Sequence, residues 1–183
     1  MKRLLSTLSI CFFVFGSASV NAQAFVKFAG IDGEVIVEGY EGWSEFTSVT
    51  QKIEFTDISQ AGPERLRELP EFQQLAIIKP LDKASVKIAE RTLRGVPTDL
   101  VEIEWVLSFE SGLKPYYTYE LQNVRIVEYD SKGIGTADGE INADGRIYEE
   151  ILLDFEEIKV TYREYDSDGN FLGATEYSWS KPN

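Results

Sequence analysis

Ser111 and Lys114 stand three residues apart, the spacing that sets a nucleophilic serine beside a lysine in penicillin-interacting enzymes. That chemistry needs a helix start to bring the two side chains together. Here Ser111-Gly112-Leu113-Lys114-Pro115 falls between two strand patterns and reads as a turn, so the pair is expected to be inert. Carboxylates come in close pairs at Glu102/Glu104, Glu149/Glu150 and Glu156/Glu157. A glycosidase needs two carboxyl groups facing each other across a cleft, about 5–9 Å apart. Glu102 and Glu104 share the polar face of an alternating strand, and the adjacent pairs split across a sheet, so all three read as solvated surface.

The run from Asp130 to Gly145 is rich in Asp, Gly and Asn and invites calcium. Its best alignment to an EF-hand loop puts Glu140, Asn142, Asp144 and Gly145 at the first, third, fifth and sixth positions. The twelfth is then Ile151, where the loop requires a bidentate glutamate. A single glycine-rich nonapeptide does not make the site that several stacked copies make. The ordinary reading is a polar surface loop, with Asp138, Asn142 and Asp144 as the residues that would carry weak external calcium binding. No catalytic residue and no cofactor site is read from the sequence.

Composition closes further routes. The 183 residues contain no histidine, which excludes Ser-His-Asp and Cys-His centres and imidazole metal ligands. A formal charge of −13 argues against a phosphate backbone as partner. Hydrophobic content of 43% with only 6 prolines argues for a packed domain.

Lys2 and Arg3 precede an apolar run from Leu4 to Phe15, then small residues and Val20-Asn21-Ala22. This is the pattern of a secretory signal peptide over residues 1–22, cut after Ala22 with Ala24 as the alternative; its apolar core is shorter than the about 20 residues that span a bilayer. Residues 23–183 are then one exported domain, periplasmic or extracellular and free of the membrane. Removing the leader takes away two cations, no carboxylate, and Cys11, the only cysteine. The core alone must therefore hold the fold.

Period-two alternation dominates the rest. Strands are expected at 24–28 and 34–38 around a Gly30–Gly33 turn, and at 101–109 with Val101, Ile103, Trp105, Leu107 and Phe109 on one face. In 116–129 the phase slips between Leu121 and Val124, and in 148–165 between Phe155 and Ile158, as a β-bulge would make it. Phe171 to Trp179 should pair back through Asp166-Ser167-Asp168-Gly169-Asn170. One helix is expected, N-capped by Asp82, with Ala84, Ile88, Ala89 and Leu93 as its apolar stripe and Gly95 beyond its last basic turn. Residues 57–74 read as a long loop with single helical turns starting at Pro63 and Pro70. Most aromatics, Tyr162 among them, sit in phase with apolar neighbours and are expected in the core; Tyr40 and Trp43 are the exposed exceptions. The fold class is mainly β, a curved antiparallel barrel or sandwich with one packed α-helix.

Several blocks then resemble, in order, the Hcp family, the haemolysin-coregulated tube proteins of type VI secretion systems. Phe25-Val26-Lys27-Phe28-Ala29-Gly30-Ile31-Asp32-Gly33-Glu34 is similar to the family's opening strand and Gly-Glu turn, and Leu81-Asp82-Lys83-Ala84-Ser85 to its helix entry. Tyr119-Glu120-Leu121-Gln122-Asn123-Val124-Arg125-Ile126 resembles its tyrosine strand. Glu150 to Ile158, leading to Tyr162, resembles its penultimate long strand, and Glu176-Tyr177-Ser178-Trp179 its closing one. The resemblance implies a β-barrel with a single helix and no catalytic residues. It also implies hexameric rings that stack into an expelled tube carrying effectors. The family's extended loop, which joins neighbouring subunits, falls on residues 57–74, with Leu66, Leu69 and Phe72 as implied contacts. The leader departs from the family, whose tube subunits ordinarily assemble in the cytoplasm. The expectation is an exported, non-catalytic Hcp-like protein that forms homo-oligomeric rings, with other secretion-system proteins or effectors as further partners and no nucleic acid. The rival expectation is a monomeric extracellular module binding calcium through the 130–146 loop, or glycan through Tyr40 and Trp43.

Overall fold

The computed structural model describes residues 22–54, 71–132 and 145–182. Eleven strands and one helix follow in order: β1 (Ala22–Phe28), β2 (Ser44–Glu45), β3 (Ser48–Thr50), β4 (Ile53–Glu54), β5 (Glu71–Phe72), β6 (Leu75–Pro80), α1 (Lys83–Arg94), β7 (Thr98–Phe109), β8 (Gly112–Lys132), β9 (Tyr148–Asp154), β10 (Glu157–Tyr165) and β11 (Phe171–Ser180). The expected mainly-β class with one helix is what forms.

The architecture turns on β8. Its first part pairs with β7 and β10, and its last part, from Arg125, pairs with β9. Between them Asn123 takes a left-handed φ of 52°, a conformation open to Asn because its short side chain avoids most of the Cβ penalty. Beside it, Glu156 N–H donates to the Gln122 carbonyl at 3.1 Å where the chain passes from β9 to β10. Both phase slips in the sequence therefore mark one corner. The second is a change of strand rather than a bulge within one. The corner folds β2, β1, β7, β8, β10 and β11 over β3, β6 and β9 as two layers.

Side chains from both layers meet in one core: Val26, Phe28, Val101, Ile103, Leu121 and Ile158 from the first, Leu75, Ile77, Ile151 and Leu153 from the second. The ladder order is β2-β1-β7-β8-β9-β6-β3, so among the described residues no ladder closes a barrel, and they form a curved sandwich. Its two ends are nonetheless consecutive in the chain. Phe46 N–H donates to Ala24 of β1, and Thr47 N–H to Ile78 of β6. The small β4–β5 sheet lies apart from this path.

Three local expectations change. Residues 34–38 are not a strand: Val35 N–H reaches Trp43 O and Gly42 N–H reaches Val35 O, making a tight loop over 33–43. Gly33 is required there, because a Cβ would meet the Trp43 carbonyl oxygen at 2.1 Å. Val35 and Val37 still alternate inward, packing with Phe25, Tyr40 and Val106 in a second, smaller cluster. In β7 the pairing with β1 stays regular through Leu107, so Val106 lies on the Glu102/Glu104 face. That face, expected to be solvated, buries it in the same cluster. The register shift between Trp105 and Val106 falls on β8, where Tyr116 is the extra residue. Glu71–Phe72 is a strand rather than a helical turn after Pro70; the remainder of that loop through Pro70, Pro63 included, lies outside the described residues.

The helix is capped as expected. Asp82 Oδ1 accepts from Ala84 N–H at 2.9 Å, Asp82 N–H donates to Ser85 Oγ, and Gly95 ends the helix with a left-handed φ of 62°. Ala84, Ser85 and Ile88 are buried, but Leu93 is 89% exposed because the helix leans on β8 with its other side.

The corner gives a direct expectation. Asn123→Gly should leave stability within about 1 kcal/mol, whereas Asn123→Val should lower it by roughly 1–2 kcal/mol. Denaturant titration checks both; equal loss in the two variants would show that φ is not what the position demands.

Candidate functional site

The core face of β6 reads Leu75, Ile77, Lys79 and that of β9 reads Leu153, Ile151, Glu149. The last member of each stripe is charged, and the two are direct register partners. Lys79 Nζ donates to Glu149 Oε1 at 2.7 Å, to Asp82 Oδ1 at 2.9 Å and to the Pro80 carbonyl at 2.9 Å. Tyr129 OH donates to Glu149 Oε2 at 2.6 Å, and Ser44 Oγ to Asp82 Oδ2 at 2.5 Å. The side chains of Lys79 and Glu149 are 0% exposed. Burial first, then the bond to Glu149, pushes the Tyr129 phenol above its ordinary range. Glu149 is thus not the solvated residue expected; Glu156 and Glu157 are exposed as expected. The signal was legible as a charge in phase with an apolar stripe on two strands. Every strong donor and acceptor is matched, which suits an anchor between layers.

Removing one partner of such a pair leaves a buried charge alone and typically costs 3–5 kcal/mol, whereas replacing both can be close to neutral. Lys79→Met should therefore destabilise by roughly 3–5 kcal/mol, and Lys79→Met with Glu149→Leu should recover much of it. Unfolding free energies of the single and double variants decide this; a double variant as weak as the single one would contradict the pairing argument.

The other carboxylates lie on the opposite face of the first layer. Glu102 faces Glu120 directly across β7–β8 and Lys27 across β1–β7. Burial, then Glu104 and Glu120, raise its pKa. Glu104 accepts from Tyr40 OH at 2.6 Å. A raised folded-state pKa means the folded chain holds the proton more tightly, so stability falls as pH climbs through the carboxylate range. Glu102→Gln should accordingly stabilise by a few tenths to about 1 kcal/mol at pH 7, with the gain vanishing at acid pH. Stability curves at both pH values test this, and no gain at pH 7 would contradict it.

The remaining sequence candidates resolve as follows. Ser111 sits in the turn that joins β7 to β8, and Lys114 Nζ is bound to the Gly169 carbonyl at 2.7 Å. Tyr40 is 6% exposed and stacks on Phe25 with ring centroids 4.6 Å apart, so the proposed glycan platform fails at its centre. Trp43 packs edge-on against Tyr40. Phe72 stacks on Trp179 at 4.3 Å and packs edge-on to Phe155, so its ring is already engaged within the subunit. Leu66, Leu69, Asp138, Asn142 and Asp144 lie outside the described residues.

Exposed aromatics occur on the β10–β11 hairpin instead, where alternation alone placed them in the core. Row by row across the first layer, Trp105, Tyr117 and Tyr162 are register partners, as are Ile103, Tyr119, Val160 and Tyr177. Val160 is buried, but Tyr162 is 49% exposed and Tyr177 43%. The hairpin extends past what the described strands of the second layer cover. Among the described residues, strand β11 pairs only with β10. Its ten residues, FLGATEYSWS, contain a single charge and expose Phe171 and Leu172. An edge with so little charge and no proline is a template for another chain.

Open edge, aromatic overhang and buried anchor define a mainly-β protein with a described surface suited to contact. The family model for the type VI secretion system effector Hcp matches residues 25–162, and the chain belongs to that family. Solved structures share the fold. A type six secretion system protein aligns with a TM-score of 0.75 at 20% identity, covering 87% of this chain and 96% of that one. A type VI secretion system effector from Yersinia pestis gives 0.64 at 18%, covering 86% and 99%. Hcp1 from Salmonella typhimurium gives 0.65 at 17%, covering 87% and 94%. No curated protein matches the chain. No helix among the described residues is long and apolar enough to cross a membrane.

Proposed function

We propose that this Hcp-family protein is an exported, non-catalytic structural subunit that assembles with copies of itself into a closed ring, a hexamer as in tube proteins of the family. The observation that carries the reading is the long, nearly uncharged β11 edge with Phe171, Leu172 and Tyr177 exposed along it. Aromatic side chains are enriched in protein interfaces, and an edge that docks on a different patch of the next copy makes a heterologous contact that closes by rotation. Phe72, partly exposed beside Trp179, lies against the same strand. Other secretion-system proteins or effectors are the partners such a ring would meet.

Export rests on the leader. Cleavage after Ala22 would remove only the first paired residue of β1, opposite Leu107, whereas cleavage after Ala24 would also remove Gln23 and the Ala24 carbonyl that binds Phe46 N–H. This supports the first position. Mass spectrometry of the exported protein should find Gln23 at the amino terminus. Light scattering at micromolar concentration should give about six times the subunit mass, the family's hexamer. Leu172→Lys with Tyr177→Lys, both at exposed positions, should reduce it to the monomer. A strict monomer for the unmodified protein removes the ring.

A further inference from the structure

The outward side of α1 carries an apolar strip that the core does not use. Val86 is 73% exposed, Leu93 89% and Leu81 39%. With Ala89 and Tyr129 they line an open groove of about 540 Å³. The helix is also where charge inverts: four cations, Lys83, Lys87, Arg91 and Arg94, stand against Glu90 alone, in a chain of formal charge −13. Arg91 is turned inward to Ala29 O and Thr98 Oγ1, and Lys87 and Arg94 flank the strip from the solvent side, each paired with Glu90.

The 33–43 loop presents the complement. Because Val35 and Val37 pack inward on Phe25, Tyr40 and Val106, alternation drives Ile36 outward, and it is 91% exposed. Residues 32–45 contain Asp32, Glu34, Glu38, Glu41 and Glu45 and no cation. One patch is an apolar knob among carboxylates; the other is an apolar groove beside cations. Two copies of so acidic a chain repel unless their contact sets opposite charges together.

We propose that the Ile36 loop of one copy docks in the α1 groove of a second copy, with Glu38 set against Arg94. The contact joins different patches and adds to the β11 edge, so it rests on the self-association proposed above while using separate residues.

Cysteine cross-linking tests it. In a full-length Cys11→Ser background, one protein carrying Ile36→Cys and a differently tagged one carrying Leu93→Cys are mixed under mild oxidation. The mixed disulfide should form, and should not form when Ile53→Cys replaces Leu93→Cys. Arg94→Glu should weaken association by about tenfold, the order expected for an interface contact, and adding Glu38→Arg should restore it. All these positions are exposed, so the variants keep the fold. Absence of the disulfide in a protein that still forms rings overturns this contact and leaves the ring. The disulfide in a protein that forms only dimers supports the contact and overturns the ring. A strict monomer overturns both.

Discussion

Two neighbouring strands of the second layer end their apolar stripes in opposite charges, Lys79 and Glu149, with both side chains removed from water. An ammonium and a carboxylate buried this fully are tolerable only where geometry and hydrogen bonding are complete, and here they are. Lys79 also holds Asp82, which caps the helix and takes the Ser44 hydroxyl, while Glu149 takes the Tyr129 phenol. One cluster thus fixes β6 to β9, the helix to β6, and the start of the β2–β3 segment to the helix. A register slip of one residue in β6 or β9 would bury an apolar side chain against a charge and expose its partner. The cluster therefore specifies the layer arrangement more sharply than leucine and isoleucine alone, which repack readily.

The rest of the surface follows from that arrangement and from the corner at Asn123. Once β8 is shared between layers, the first layer is wider than the second. Its overhang, β10–β11, carries tyrosines that stay half exposed among the described residues. Natural sheets usually blunt such an edge with lysine, proline or a bulge; this one has a single irregularity, near the hairpin turn between Glu164 and Tyr165. In the ring proposed above, that exposure would have a use. Among the described residues α1 packs on one side only, against β8, and the apolar strip on its outer side stays exposed.

Much of this was legible in the sequence where the signal was local. Asp82 and Gly95 delimit the helix, and the β10–β11 hairpin follows from its Asp-rich turn, where Asp166 Oδ1 accepts from Asp168 and Asn170 N–H. The phase slip at Asn123 was readable as a discontinuity. What failed depended on what lies opposite. Tyr162 and Leu93 are in phase with buried neighbours, yet no layer among the described residues covers them. Tyr40 looked exposed among glycines but is covered by its own loop, with Glu104 from β7 receiving its hydroxyl. Glu149 looked like half of an acidic pair, and only the register that sets Lys79 beside it explains its burial.

In the proposed assembly, exported copies of this chain close on themselves through exposed β-edge and apolar surface. Electron microscopy of the protein purified from the compartment that receives it is the most direct test. A closed ring predicts annular particles with an open centre, dispersing when β11 carries added lysines. Small, featureless particles of single-subunit size at every concentration would contradict it.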